Sequence, residues 1–137
     1  YTVEECPSEL GGASVGEALL RVHRSYLRPI RTLVEADLAR GLAHITGGGL
    51  PNNLGRVVPE GCTAAVDYDA WDRPSIFSLI QERGDVPEED MRQTFNLGIG
   101  MVAVVRAEEA ARAVDQLEAV GESPIRMGRI EAAGASH

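Results

Sequence analysis

Apolar residues recur along this chain with two different spacings. Ile30, Leu33, Val34 and Leu38 fall on one face of a helix, with Glu35 and Arg40 outside it. Pro29 suits the first turn of that helix, and Gly41 suits its C-terminal cap. Ala43–Thr46 then reads as a short strand and Leu50–Val58 as a short helix with Pro51 at its start. Thr63–Tyr68 reads as a second strand, because Val66 and Tyr68 alternate with Asp67. Asp72 as N-cap, Pro74 in the first turn and a stripe of Ile76, Phe77, Leu79 and Ile80 predict a helix ending at Gly84. Pro87 with Glu88 and Glu89 opens another short helix through Thr94, with acids where the helix dipole favours them. Ile99–Val105 is a nearly unbroken apolar run, which predicts a strand buried on both faces. Glu108–Val120 is amphipathic, with Ala110, Ala113, Val114, Leu117 and Val120 inward and Gly121 as its stop. Ile125–Ile130 is the last strand. Residues 1–16 read as an irregular lead-in, 17–27 as loop, and 132–137 as a frayed tail.

Four strands separated by helices predict an α+β fold of layered α/β type. The expected form is a four-stranded mixed sheet with helices and a partly ferredoxin-like topology.

Composition narrows the functional classes. A chain of 137 residues with 44% hydrophobic and 25% charged residues fits one globular domain. A net charge of −8 argues against an extended nucleic-acid surface. All 13 basic residues are Arg. Cys6 and Cys62 fit no metal-ligand spacing, and two reduced thiols in a cytoplasmic protein are expected rather than a disulfide. No apolar run is long enough to cross a bilayer, and no signal-peptide pattern is present. The chain begins with Tyr1 rather than Met, so it is expected to be part of a longer protein.

Two glycine-bearing segments carry the chemistry. In "GLAHITGGGLPNNLGRVVP", Gly41–Pro59, an apolar strand runs into Gly47, Gly48 and Gly49. Ordering three glycines costs more backbone entropy than ordering any other three residues. Bare backbone between a strand and a helix lets amides converge on an anion; a tight turn with close backbone approach is the alternative. The segment is neither a Walker A loop nor a GxGxxG fingerprint. In "TFNLGIGMVAVV", Thr94–Val105, Asn96, Gly98 and Gly100 stand at the entrance to the apolar strand, where glycine marks close approach of a ligand or another chain. The two segments are expected to meet and form one floor.

Individual residues then acquire paired readings. His44 either bonds a carbonyl or serves as substrate contact and proton carrier, which is the catalytic candidate. Thr46 either donates to a phosphate or closes the turn. Asn96 either orients a substrate amide or bonds local backbone. Arg24 either pairs with a phosphate or forms a surface ion pair. The phosphate- and substrate-binding candidates are therefore Arg24, Thr46, Gly47, Gly48, Gly49, Asn96, Gly98 and Gly100. Asp67, Asp69 and Asp72 are expected to cap and solvate rather than bind metal, and Asn52 and Asn53 to serve turn and cap. His23 and His137 carry no signal, and Trp71 is expected at the core margin.

The stretches "ELGGASVGEALL", "GLAHITGGGLPNNLGRVVP", "TFNLGIGMVAVV" and "IRMGRIEA", in this order, resemble the C-terminal domain of phosphoribosylformylglycinamidine cyclo-ligase, or AIR synthetase. The resemblance covers nearly the whole chain. It implies half of an ATP-dependent ligase of purine biosynthesis, which closes the imidazole ring of formylglycinamidine ribonucleotide to give aminoimidazole ribonucleotide. It further implies an N-terminal partner domain that holds most of the ATP and Mg2+ contacts, a homo-oligomer and a cytoplasmic location, with no membrane or nucleic-acid partner. The isolated domain is expected to be inactive. Another superfamily enzyme of small-molecule kinase type, or a non-catalytic ferredoxin-like module, remains the alternative. One stretch departs from the family pattern. After "GEALL" the family reads Thr/Ala-Pro-Thr-Arg before an apolar-Tyr pair, whereas here Arg21-Val22-His23-Arg24-Ser25-Tyr26 keeps only the Arg and the Tyr.

Overall fold

Ser14 and Glu17 start the first α-helix by capping each other. The Ser14 hydroxyl accepts from the Glu17 amide (3.1 Å), and the Glu17 carboxylate accepts from the Ser14 amide (2.8 Å). The computed structural model describes residues 1–134. In it this capping box opens α1 (Val15–Leu19), in a region where no helix was expected. Five residues are too few to show a hydrophobic period, so the capping pair was the only available signal. The stretch expected as a frayed tail lies partly outside the described residues.

α2 (Leu27–Glu35) buries Pro29 and Leu33, and the chain leaves it through Asp37 at φ 53° rather than at Gly41. Gly41 instead opens β1 (Gly41–His44). Then come α3 (Gly49–Leu54), β2 (Cys62–Val66), α4 (Ser75–Gly84), α5 (Glu88–Thr94), β3 (Met101–Val104), α6 (Ala110–Ala119) and β4 (Gly128–Ala132). The element types agree with the apolar periods. The bounds shift by a few residues, as ends set by caps commonly do.

The sheet differs from expectation. Instead of one four-stranded mixed sheet there are two antiparallel ladders, β1 with β3 and β2 with β4. Each strand pairs two strands further along the chain, so helices intervene within both pairs and the ladders share no edge. They meet through side chains. Ala43, Ile45, Leu50, Leu54 and Ile99 form a buried cluster that Ala64, Val66, Tyr68, Trp71 and Met127 cover from the second ladder and its flanks. A second cluster, Leu33, Leu38 and Ala113, packs α2 on α6.

β3 is half-buried rather than sealed on both faces. It borders an apolar cleft of about 540 Å³, whose walls include Val102, Val104, Leu117, Met127 and Ile130. An open apolar wall and a covered one have the same composition, so the apolar run by itself does not distinguish them.

α4 and α5 are tied by a polar clasp. Arg73 makes a two-pronged ion pair with Glu88 (2.6 and 3.0 Å), Gln81 donates to the same carboxylate (3.0 Å), and Arg92 reaches it from the next turn (2.8 Å). These donors, Arg73 first, hold the Glu88 carboxyl down at about 2. Arg92 also lies 3.9 Å over the Tyr68 ring. Cys6 and Cys62 are free thiols. Among the described residues no helix is long and apolar enough to cross a membrane.

Candidate functional site

β1 ends at His44, whose Cα faces Met101 across the ladder, and the next amide, of Ile45, donates to the Gly100 carbonyl (2.9 Å). That bond ties the exit of β1 to the entrance of β3. The two glycine segments are adjacent, as their sequence context suggested.

The glycine loop divides its work. Gly49, at φ 59°, sits so close to α5 that any Cβ would overlap the Arg92 carbonyl oxygen, and the Phe95 carbonyl stands 3.0 Å from the same point. Only glycine allows that approach, so Gly49 is there for backbone packing. Its amide donates to the Thr46 carbonyl (3.1 Å). Gly47 is exposed and faces open space. The amides of Gly47, Gly48 and Leu50 meet no backbone carbonyl among the described residues. Thr46 is exposed beside them. The loop is held from beneath by Asn53, 3% exposed, whose amide group donates to the carbonyls of Gly49 (2.7 Å), Thr46 (3.4 Å) and Gly47 (3.4 Å). The turn-and-cap role expected of Asn53 is carried out from α3, and its burial beneath the loop is a tertiary fact.

The second segment is equally specific. Asn96 accepts from the Gly98 amide (3.0 Å) in a local turn, leaving its side-chain amino group outside that bond. Leu97 adopts φ 51° with its side chain fully buried, and the Trp71 indole donates to its carbonyl (2.9 Å). A Cβ on Gly98 would meet Pro74 Cδ at 2.6 Å, and one on Gly100 would overlap the Tyr26 hydroxyl. Both glycines thus sit under side chains from distant parts of the chain.

Three rings gather beside Gly100. His23 stands edge-on to His44 with centroids 5.5 Å apart and to Tyr26 at 5.9 Å, and Tyr26 lies 6.3 Å from His44. Neither His23 nor Tyr26 was a candidate from sequence. The one available signal was the departure of this loop from the family pattern. Arg24 reaches back to form an ion pair with Glu122, which follows α6, so the structure gives it a protein partner. Among the described residues no three His, Cys, Asp or Glu side chains come together to hold a metal ion.

The arrangement is a strand-exit glycine loop whose Gly47 and Gly48 amides meet no backbone carbonyl among the described residues, next to the exposed His44, in an α+β domain. Residues 2–136 match the family described as AIR synthase related protein, C-terminal domain, and the chain belongs to that family. It is 46% identical over 135 residues to a phosphoribosylformylglycinamidine cyclo-ligase of Sorangium cellulosum, covering 97% of this chain and 38% of that protein. It is 43% identical over 128 residues to a protein of the same name from Methylobacillus flagellatus, covering 93% and 37%. It is also 40% identical over 116 residues to the bifunctional purine biosynthetic protein ADE1 of Schizosaccharomyces pombe, covering 85% and 15%. The chain therefore spans less than two-fifths of the length of these relatives.

Proposed function

We propose that residues 1–137 form the C-terminal domain of an ATP-dependent phosphoribosylformylglycinamidine cyclo-ligase. The single observation that carries this reading is the Ile45–Gly100 bond, which joins the exit of β1, ahead of the glycine loop, to the entrance of β3, in a chain that matches the cyclo-ligases along nearly its whole length. In the ring closure, phosphoryl transfer from ATP activates the formyl-amide oxygen of formylglycinamidine ribonucleotide. An amidine nitrogen then attacks that carbon, the carbon–oxygen bond to phosphate breaks, and the nitrogen loses a proton as aminoimidazole ribonucleotide forms.

Several groups of this chain contribute. The Gly47 and Gly48 amides, with the Thr46 hydroxyl, hold phosphate oxygens as negative charge builds. Asn96 orients the substrate amide with the amino group its local bond leaves over. His44 takes the proton from the attacking nitrogen, a role suited to an imidazole at neutral pH. Gly49, Gly98 and Gly100 set the shape of the floor, and Arg24 lends positive charge at the mouth of the cleft while paired to Glu122. Most ATP and Mg2+ contacts belong to an N-terminal domain, and no step is assigned to the metal on this chain.

That partner domain has a surface to dock on. Leu19, Leu20, Val22, Leu27 and Val34, from the end of α1 through the connecting segment into α2, are all more than half exposed. Docking against the remaining length of a cyclo-ligase would remove these exposed apolar side chains from water. The assembled protein is a cytoplasmic homo-oligomer in this reading.

The test is reconstitution. This chain is mixed with the N-terminal domain of its own parent protein or of a relative, and phosphate release is followed. Release that requires both ATP and formylglycinamidine ribonucleotide is expected. A folded, associated pair that releases none overturns the reading.

A further inference from the structure

His44 is exposed at the end of a four-residue strand and makes no side-chain hydrogen bond among the described residues. An imidazole in that position rotates freely unless something holds it. The neighbours that hold it are rings. His23 packs edge-to-face on it, with centroids 5.5 Å apart and planes at 86°, and Tyr26 closes the triangle on both histidines. The triangle is itself anchored at two points. His23 Nδ1 lies 2.9 Å from the Arg24 carbonyl, and Arg24 is held by Glu122. The Tyr26 hydroxyl rests where Gly100 leaves room for it.

We propose that His23 is a positioning residue for His44: its ring fixes the plane of the His44 imidazole so that one nitrogen faces the reacting atoms. The inference rests on the reading of His44 as the proton carrier given above. The ring contact to the end of β1 comes from the stretch that departs from the family pattern. His23 acts through packing, so it need not touch substrate. Fixing a general base in a productive orientation raises kcat without changing how tightly substrate is held.

The experiment measures phosphate release by the reconstituted two-domain enzyme carrying His23→Ala, His23→Phe or His44→Asn. His23→Ala is expected to lower kcat on the order of tenfold while KM stays within roughly twofold. His23→Phe, which keeps a ring but loses both nitrogens, is expected to restore most of the rate. Thermal midpoints of both His23 variants should match the parent, since His23 is exposed. Side-chain relaxation of isotope-labelled His44, read by NMR in the same assembly, should show a more mobile ring in His23→Ala only. An unchanged kcat and an unchanged His44 ring in His23→Ala, with His44→Asn slow, overturns the positioning role alone. A His23→Phe enzyme as slow as His23→Ala also overturns it, because packing would then not be the role. A His44→Asn enzyme with parental kcat overturns the reading of His44 itself, and this inference with it.

Discussion

The Tyr26 hydroxyl fills the space that a side chain on Gly100 would need. One residue comes from the segment before α2 and the other from the entrance to β3, so this contact joins two stretches 74 positions apart in the chain. Gly100→Ala should therefore cost about 1–3 kcal/mol, the usual range for overpacking a tight site. Tyr26→Phe, which removes only the hydroxyl, should recover part of that loss in the double variant. A double-mutant cycle by chemical denaturation reads the coupling; strictly additive effects would show that the two residues do not share this space.

Gly49 and Gly47 separate packing from ligand binding within one loop. Gly49→Ala forces a Cβ into the Arg92 carbonyl at a positive φ and should destabilise the domain by about 3 kcal/mol or more. Gly47→Ala meets open space and should shift stability by less than about 1 kcal/mol. Its Cβ would nevertheless enter the volume proposed for phosphate oxygens, so phosphate release in the reconstituted enzyme should fall by roughly tenfold. Parental turnover in a well-folded Gly47→Ala enzyme would remove the loop from the proposed site.

Asn53 is the buried support of the same loop. Asn53→Ala leaves three carbonyls without their shared donor and should cost about 1–3 kcal/mol in urea unfolding. Asn53→Asp should cost more, because it places a carboxylate against carbonyl oxygens in a buried position.

Glu88 gives the domain a measurable acid response. Its carboxyl is held at about 2 by Arg73 foremost, then Arg92 and Gln81, against 4.5 for an ordinary glutamate. A depressed carboxylate binds fewer protons folded than unfolded, so its contribution is complete above about 4.5 and is lost as pH falls from there through about 2. Glu88→Gln should flatten the pH dependence of unfolding across that window. An unchanged slope would show that the clasp does not form in solution.

Arg24 resolves by comparison of two readouts. Its side chain is 56% exposed, so losing the Glu122 pair in Arg24→Ala should cost less than about 1 kcal/mol. If Arg24 also lends charge to a phosphate, KM in the reconstituted enzyme should rise well beyond what that small loss of stability explains. An unchanged KM would leave it as an ion-pair residue.

The amino-acid sequence by itself determined the local order of this protein. The apolar periods of the segments that became α2, α4 and α6 are properties of neighbouring residues, and helix faces follow from them without any distant contact. The family motifs were equally legible, because strand, glycine loop and helix adjoin in the chain. The tertiary structure decided the rest. Whether four strands make one sheet or two ladders depends on pairing across long connections, which no local period encodes. Whether a glycine makes room for a ligand or for a neighbour depends on what stands beside it: Arg92 at Gly49, Tyr26 at Gly100, open space at Gly47. His23 reads as an ordinary exposed residue until folding brings it against His44. A side chain's local preference is written in its chemistry, but its partner is chosen only when the chain closes on itself.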